Sequence, residues 1–239
     1  MTPDPTTPVA LVTGASQGLG LALTRALAAA GWRVVVDARH ADVLRRAVDG
    51  LAGVTAVPGD VAEPAHRADL AAAVAALGRL DLLVHNASTL TGSGAPGRLP
   101  ALADHPVDDL ARVYAVNVLA PLALTQLLLP DLRATRGTVI AVSSDAAVEP
   151  YPGWGGYGSS KAALDQLAAV LGAENPELHV YAVDPGDMNT ALHQQAFPGE
   201  DISDRPLPQA VVPALLRLVR QELPGGRHRA ADLLAAVDA

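Results

Sequence analysis

Short runs of branched apolar residues alternate along this chain with longer stretches in which alanine and leucine recur at helical spacing. In such an alternation a helical crossover connects each strand to the next, so the strands run parallel and helices cover both faces of the sheet. The pattern therefore predicts an α/β fold built on a doubly wound parallel β-sheet. A length of 239 residues suits a single domain of this kind.

The individual elements follow from the same alternation. Strands are predicted at residues 9–13, 33–37, 54–57, 80–85, 138–142 and 179–183, with a short last strand at 227–229. Helices are predicted at residues 18–30, 42–51, 64–77, 108–132 and 158–171. Clusters of glycine, proline and polar residues predict loops at 89–100 and 194–208. One domain is therefore expected over residues 9–239, after a flexible N-terminal lead at 1–8.

Charge and composition exclude several classes of partner and site. The formal net charge of −8 and the pI of about 5.2 argue against nucleic acids and anionic membrane surfaces. The absence of cysteine excludes disulfides, thiolate ligands and cysteine nucleophiles, and no metal site is expected. We find no run of about 18 apolar residues and no signal peptide, so we expect a cytoplasmic protein that does not enter a membrane. Helices 108–132 and 158–171 have broad apolar surfaces, which predicts a homodimer or homotetramer.

A glycine-rich turn, Thr13-Gly-Ala-Ser-Gln-Gly-Leu-Gly20, joins the first predicted strand to the first predicted helix. Glycines permit a tight turn and let backbone N–H groups approach a phosphate at the positive end of the helix dipole. The spacing Gly14, Gly18, Gly20 differs from the usual G-x-G-x-x-G dinucleotide fingerprint. Since any tight strand-to-helix turn needs glycine, this segment is compatible with a dinucleotide site and with a purely structural turn.

Tyr157 and Lys161 are spaced so that they share one face of a helix. A phenol has an ordinary pKa near 10, and a neighbouring cation lowers it. Most such pairs are simply a surface tyrosine and a solvated lysine. This chain, however, has 17 lysines and arginines together, of which only Lys161 is a lysine. Its position four residues after one of the 4 tyrosines therefore indicates a role that a planar guanidinium does not fill.

These residues together resemble the short-chain dehydrogenase/reductase family of the Tyr-x-x-x-Lys type, from Val9 to about Leu223. The resemblance rests on an ordered set of motifs, namely the turn from Thr13 to Gly20, then Asp60, Val61, Asn86, Ala87, Ser88, Asn117, Ser144, Tyr157, Lys161, Pro185, Gly186 and Thr190. Ser144, rather than Ser143, precedes Tyr157 by the family's thirteen residues. The resemblance implies a Rossmann fold and an enzyme that moves a hydride between a nicotinamide cofactor and a carbonyl or secondary alcohol carbon.

The resemblance also implies a role for each catalytic residue. Tyr157 would protonate the carbonyl oxygen, or act as the base in oxidation. Lys161 would lower the pKa of Tyr157 and hold the nicotinamide ribose. Ser144 would bond the substrate oxygen on which charge develops. Asn117 would position a water that links Lys161 to solvent; the alternative is a polar residue inside a helix that bonds backbone groups.

The implied cofactor site draws on residues from the whole chain. Its members are Gly14, Ser16, Gln17, Gly18, Leu19, Gly20, Ala38, Arg39, Asp60, Val61, Asn86, Ala87, Ser88, Tyr157, Lys161, Pro185, Gly186, Met188 and Thr190. An acid at the end of the second strand favours NAD, whereas an arginine there accepts the 2′-phosphate of NADP. The acid position holds Ala38 and is followed by Arg39, while Asp37 is expected to face the other side of the strand. NADP is therefore the expected cofactor, with NAD as the alternative if Asp37 serves the ribose.

The substrate site is expected beside Ser144 and under the loop at about 188–208. Its candidate residues are Asp145, Tyr151, Trp154, His193 and Phe197. They indicate a small to medium polar carbonyl compound or alcohol. Two other functions stay open, namely an epimerase or lyase that uses its bound cofactor transiently and a non-catalytic dinucleotide sensor.

Three positions depart from the family's pattern. Ser88 stands where the motif after the fourth strand has glycine, and Asp184 stands where asparagine is common before Pro-Gly. The carboxyl end, which includes Arg227, lacks the Asp-Gly-Gly ending of many members, where the family usually makes an oligomer contact.

Overall fold

Seven parallel strands form one sheet in the computed structural model, which describes residues 6–92, 99–221 and 223–236. The strands are β1 (Val9–Val12), β2 (Arg33–Ala38), β3 (Val54–Pro58), β4 (Leu82–His85), β5 (Thr138–Val142), β6 (His179–Asp184) and β7 (Gly226–Arg229). Their spatial order is β3-β2-β1-β4-β5-β6-β7. The order reverses between β1 and β4, and in open α/β sheets this is where ligands bind.

Helices cover both faces of this sheet. They are α1 (Gly18–Ala29), α2 (Ala41–Val48), α3 (Pro64–Ala75), α4 (Val107–Tyr114), α5 (Ala120–Thr135), α6 (Gly155–Glu174), α7 (Ala191–Ala196), α8 (Val212–Arg220) and α9 (Ala230–Ala235). The predicted Rossmann fold, including the short last strand, is confirmed. The predicted N-terminal lead falls largely on residues 1–5, and part of the loop at 89–100 falls on residues 93–98; both lie outside the described residues.

Two apolar layers, one on each face of the sheet, form the core. Along β1, Ala10 and Val12 pack into one layer, while Val9 and Leu11 pack into the other. All four side chains are fully buried. The strand is therefore a continuous apolar run, because in a parallel sheet both faces are covered.

The helix predicted at 108–132 differs most from the sequence expectation. It runs from Val107 to Thr135, and a π-helical segment, Ala115–Leu119, interrupts it between α4 and α5. Although this stretch contains no run of about 18 apolar residues, it is long and apolar enough to cross a membrane, since its best 18-residue window has a mean hydropathy of 1.6. Half of that window is buried in the fold. A core helix passes the same test, so this stretch is weak evidence for a span.

Two further boundaries also differ. Helix α6 begins at Gly155 rather than at residue 158, so Tyr157 lies in its first turn. Helix α7 covers residues 191–196, so the predicted loop at 194–208 begins inside a helix.

Candidate active site

The glycine-rich turn packs directly against the loop that follows β4. Gly14 and Gly18 have φ values of +69° and +57°, which favour glycine. A β-carbon on Gly14 would lie 2.8 Å from the Cα atom of Ala87, and one on Gly20 would lie 2.5 Å from Nδ2 of Asn86. Asn86 holds the two segments together, because its side-chain amide donates to the carbonyls of Thr13 and Gly14 at 2.8 and 3.0 Å.

Asp37 belongs to the support of this turn. Its Oδ1 accepts the N–H of Gly14 at 2.7 Å, and its Oδ2 lies 3.1 Å from Nε2 of His66. The side chain is 2 % exposed. The alternative in which Asp37 binds an adenosine ribose would break these contacts, so the geometry does not favour it.

One cavity of about 300 Å³ runs along the carboxyl ends of the strands. Arg39, Asp60 and Val61 line its outer end beside Ala38. The predicted cofactor residues Gly14, Ser16, Gln17, Gly18, Leu19, Asn86, Ala87, Ser88, Pro185, Gly186, Met188 and Thr190 line the same cavity. The lining does not include Gly20, which packs behind the turn.

Arg112 is a residue of the outer end that sequence reasoning missed. It reaches the cavity from α4 and forms an ion pair with Asp60. Burial raises the pKa of Asp60, but hydrogen bonds from the N–H of Ala62 and from Arg112 outweigh it and hold this pKa below its usual value. No spacing in the sequence links Arg112 to Asp60, because the two lie on different elements.

Ser144, Tyr157 and Lys161 meet at the inner end of the cavity. Tyr157 and Lys161 are one turn apart on α6 and are 7 % and 1 % exposed. Nζ of Lys161 donates to the carbonyl of Val142 at 2.7 Å and lies 5.5 Å from the centroid of the Tyr157 ring. Ser144 follows β5, and its hydroxyl accepts the N–H of Ala146 at 3.2 Å.

Burial dominates the ionisation of this pair. It raises the pKa of the Tyr157 phenol, and hydrogen bonds with Ser144 and Ser88 only partly oppose it. It lowers the pKa of Lys161 to about 8, while the charge of Asp165 acts in the opposite direction. Burial therefore outweighs the groups that lower the pKa of Tyr157 and keeps the phenol protonated. The lowering of this pKa by Lys161 stays a prediction.

Asn117 lies in the π-helical segment and is fully buried. Its Oδ1 accepts the N–H of Thr89 at 2.9 Å and the hydroxyl of Ser88 at 3.3 Å. Its Nδ2 donates to the carbonyl of Thr89 at 2.9 Å and to Oγ of Ser160 at 3.0 Å. These contacts match the alternative in which the side chain bonds backbone, and they anchor the loop after β4. The water link to Lys161 stays a prediction.

The candidate substrate residues form a partly aromatic wall. Asp145, Trp154 and His193 line the cavity, whereas Tyr151 and Phe197 stand behind it. The Tyr151 hydroxyl donates to Asp145 at 2.9 Å, and Phe197 packs against His193 with ring centroids 4.8 Å apart and an angle of 35° between the ring planes. Trp154 lies between Tyr157 and Phe197, at 5.8 and 5.9 Å from their centroids.

His193 belongs to the fold rather than to the solvent. Its side chain is 12 % exposed, and its Nδ1 lies 3.6 Å from Oδ1 of Asp187. The ring is therefore held at the wall of the cavity.

Comparisons with known proteins agree with this geometry. The sequence profile of the short chain dehydrogenase family matches residues 8–201. Sepiapterin reductase of Mus musculus is 35 % identical over 208 residues, which cover 79 % of this chain and 77 % of the relative.

Solved structures resemble the whole chain. An alcohol dehydrogenase from the archaeon Thermococcus sibiricus, complexed with 5-hydroxy-NADP, superposes with a TM-score of 0.82 at 25 % identity and covers 93 % of this chain and 95 % of its own. A protein from Shigella flexneri 2a described as a short chain dehydrogenase, complexed with NADP, has a TM-score of 0.86 at 27 % identity. The match covers 94 % of this chain and 97 % of that protein. The chain belongs to the short-chain dehydrogenase/reductase family and is an NAD(P)-dependent oxidoreductase of carbonyl compounds and alcohols.

Proposed function

We propose that this enzyme uses NADPH to reduce a small to medium polar carbonyl compound, and oxidises the corresponding secondary alcohol in reverse. The observation that carries the proposal is the meeting of Ser144, Tyr157 and Lys161 at one end of the cavity whose other end holds Arg39. Both residues that a non-catalytic sensor would not need, Tyr157 and Lys161, are present and buried.

The glycine-rich turn fits a dinucleotide. Gln17, at the N-cap of α1, provides no side-chain cap, and the first turn of α1 holds no acidic residue. The N–H groups of the first turn of α1 are therefore available for a pyrophosphate at the positive end of the helix. Lys161 and Thr190 would hold the nicotinamide end, and the nicotinamide supplies the hydride when it is bound.

Tyr157 acts as the proton donor to the substrate oxygen. Because burial raises the pKa of Tyr157, the phenol carries its proton throughout the physiological range. The Ser144 hydroxyl donates to Oδ1 of Asp145 at 3.0 Å and also lowers the pKa of the Tyr157 phenol, so the serine and the phenol are close enough to contact one oxygen atom. Two donors aimed at one oxygen stabilise the negative charge that develops there during reduction.

The preference for NADPH is supported by the end of β2. Arg39 is exposed at the rim of the cavity, and Ala38 leaves room beside it. Asp37, the acid that would favour NAD, is occupied by Gly14 and His66. The two NADP-type complexes among the structural relatives are consistent with this preference.

The substrate is expected to combine a flat apolar part with a polar group. Trp154 presents an aromatic surface beside Tyr157, and Leu90 and Leu192 extend it. Asp145, next to Ser144, offers a carboxylate at the same place. This combination suits an uncharged polar carbonyl compound and disfavours a strongly anionic one.

The experiment is a panel of carbonyl compounds assayed with NADPH and with NADH, in which the absorbance of the reduced nicotinamide is followed. We expect turnover of at least one uncharged polar ketone or aldehyde, faster with NADPH, and the alcohol as the isolated product. Tyr157→Phe is the matched control, because it removes one hydroxyl and keeps the ring. An isomer or a cleaved product in place of the alcohol would point instead to an epimerase or a lyase.

We propose further that the enzyme is a homodimer or homotetramer formed through α5 and α6. Leu122 and Leu127 on α5 are 38 % and 50 % exposed, and Val170 on α6 is 41 % exposed. Side chains of this kind on neighbouring long helices form a surface that a second copy would bury. Sedimentation at micromolar concentration tests this, and a monomer would contradict it.

A further inference from the structure

Arg227, on the last strand, reaches the catalytic end of the sheet. Although it pairs with Ala182 in the register of β6 and β7, its side chain crosses β6 and reaches the end of β5. Its Nη2 donates to the carbonyl of Ser144 at 2.9 Å and lies 3.4 Å from Oδ2 of Asp184. Its Nε donates to Oδ2 of Asp165, on α6, at 3.1 Å. One guanidinium therefore joins the ends of β5 and β6 to α6.

The acids that it joins are largely buried. The side chains of Asp184 and Asp165 are 6 % and 15 % exposed. Burial raises the pKa of Asp165, and the charges of Arg227 and Lys161 oppose this. A buried carboxylate without a partner is costly, so Arg227 and Lys161 form a balanced set of two cations and two anions with these acids.

The carboxylate of Asp184 explains why the positive charge of Arg227 is needed at the end of β6. Its Oδ1 accepts the N–H of Gly186 at 3.0 Å, a contact that the oxygen of an asparagine would make equally well. The second carboxylate oxygen lies 3.4 Å from Arg227. Two departures from the family's pattern, the acid at 184 and the carboxyl end that carries Arg227, therefore meet in one contact.

We propose, on the basis of the function above, that Arg227 is a positioning residue that holds the backbone of Ser144 against β6 and α6. The carbonyl of Ser144 also accepts the N–H of Ala147 at 3.1 Å, which orients the turn but does not tie it to another strand. The preceding residue is already bound to β6, because the N–H of Ser143 donates to the carbonyl of Val183 at 2.7 Å; Arg227 adds a bond between strands at Ser144 itself. By holding the Ser144 backbone, it keeps the serine hydroxyl in line with the phenol of Tyr157.

The proposal differs from a purely stabilising ion pair in what it predicts for turnover. A stabilising pair affects the melting temperature and leaves the kcat of the folded enzyme unchanged. A positioning residue acts on kcat, because Ser144 contacts the reacting oxygen, and it leaves the binding of NADPH nearly unchanged. Asp184→Asn separates the two effects, since it removes the buried charge while the side-chain oxygen of the new amide still accepts from Gly186.

The test compares Arg227→Gln with Arg229→Gln, each assayed as the intact enzyme with NADPH and the best carbonyl substrate. Arg229 lies on the same strand, and its side chain makes no hydrogen bond or ion pair with the part of the chain that the structure describes. We expect Arg227→Gln to lower kcat by about 10-fold, which corresponds to about 1.4 kcal/mol in the activation free energy. The KM for NADPH should stay within about threefold, and Arg229→Gln should match the wild type.

The double variant Asp184→Asn with Arg227→Gln keeps the proposal testable if Arg227→Gln does not fold. The melting temperature of the double variant should be higher than that of Arg227→Gln and close to that of Asp184→Asn, because the buried charge of Asp184 is removed together with its partner. Its kcat should stay about 10-fold below that of Asp184→Asn. Arg227→Lys should restore part of kcat, because a lysine donates to fewer partners at once. If kcat follows the melting temperature, or if Arg227→Gln turns over like Arg229→Gln, Arg227 is only structural. Tyr157→Phe, assayed in parallel, tests the proposed function: full activity there would overturn the mechanism itself.

Discussion

Replacing Arg39 by alanine should weaken the binding of NADPH and leave that of NADH nearly unchanged. A charge-assisted contact between arginine and phosphate contributes about 1.5–3 kcal/mol. Arg39 is exposed, so solvent and salt screen its charge and the lower end of this range applies. At about 1.4 kcal/mol for each factor of ten, the expected loss is about tenfold in the KM for NADPH.

The assay is steady-state kinetics with both cofactors at two ionic strengths. The NADPH preference of the wild type should shrink at high salt, because the contact is electrostatic. Arg46→Ala is the matched control, since Arg46 is an exposed arginine of the neighbouring helix α2. Ala38→Asp should go further than Arg39→Ala, because a carboxylate there repels the 2′-phosphate and offers NADH a ribose acceptor. A wild type that prefers NADH, or an Arg39→Ala variant that weakens both cofactors equally, would refute this assignment.

Four further predictions concern the catalytic pair. Tyr157→Phe should keep the fold and the affinity for NADPH but lower kcat by about 10²–10⁴-fold, measured by turnover and by cofactor titration. Lys161→Arg should be severely impaired although the charge is kept, because a planar guanidinium does not fit a fully buried site built for an ammonium; wild-type turnover would show that the lone lysine is incidental. Because the pKa of Lys161 is lowered to about 8, its charge is present below that pH and is lost above it, so kcat/KM for NADPH should fall as the pH rises through about 8. Asp165→Asn should move this fall to lower pH, since the Asp165 charge raises the pKa of Lys161; an unchanged profile would contradict the assignment of the titration to Lys161.

The elements that position the site were predictable because their signals are local. A strand buried on both faces is a continuous apolar run, and β1 and β5 are of this kind. Tyr157 and Lys161 share a helical face because of their spacing alone. The tight turn required glycine at position 14 whatever ligand it holds, since its backbone is left-handed and Ala87 lies against it.

The contacts that tune the site were not predictable in this way. Asp37 and His66 are 29 residues apart, and Arg227 and Ser144 are 83 residues apart, so no local pattern relates them. The π-helical segment at Asn117 was also missed, although Pro121, which has no N–H to donate to the carbonyl of Asn117, marks a break in the regular hydrogen bonding just after it.

The sequence by itself determined where strands and helices follow one another along the chain and which tyrosine and lysine form the pair, because both depend on neighbours within one turn or one strand. Only the tertiary structure decided the pKa values of Tyr157 and Lys161 and the groups that Asp37 and Asp184 contact. Burial, which depends on the whole fold, raises the pKa of Tyr157 and lowers that of Lys161. Likewise, Asp37 supports the glycine turn and Asp184 pairs with Arg227 only because parallel strands bring their carboxyl ends to one edge of the sheet.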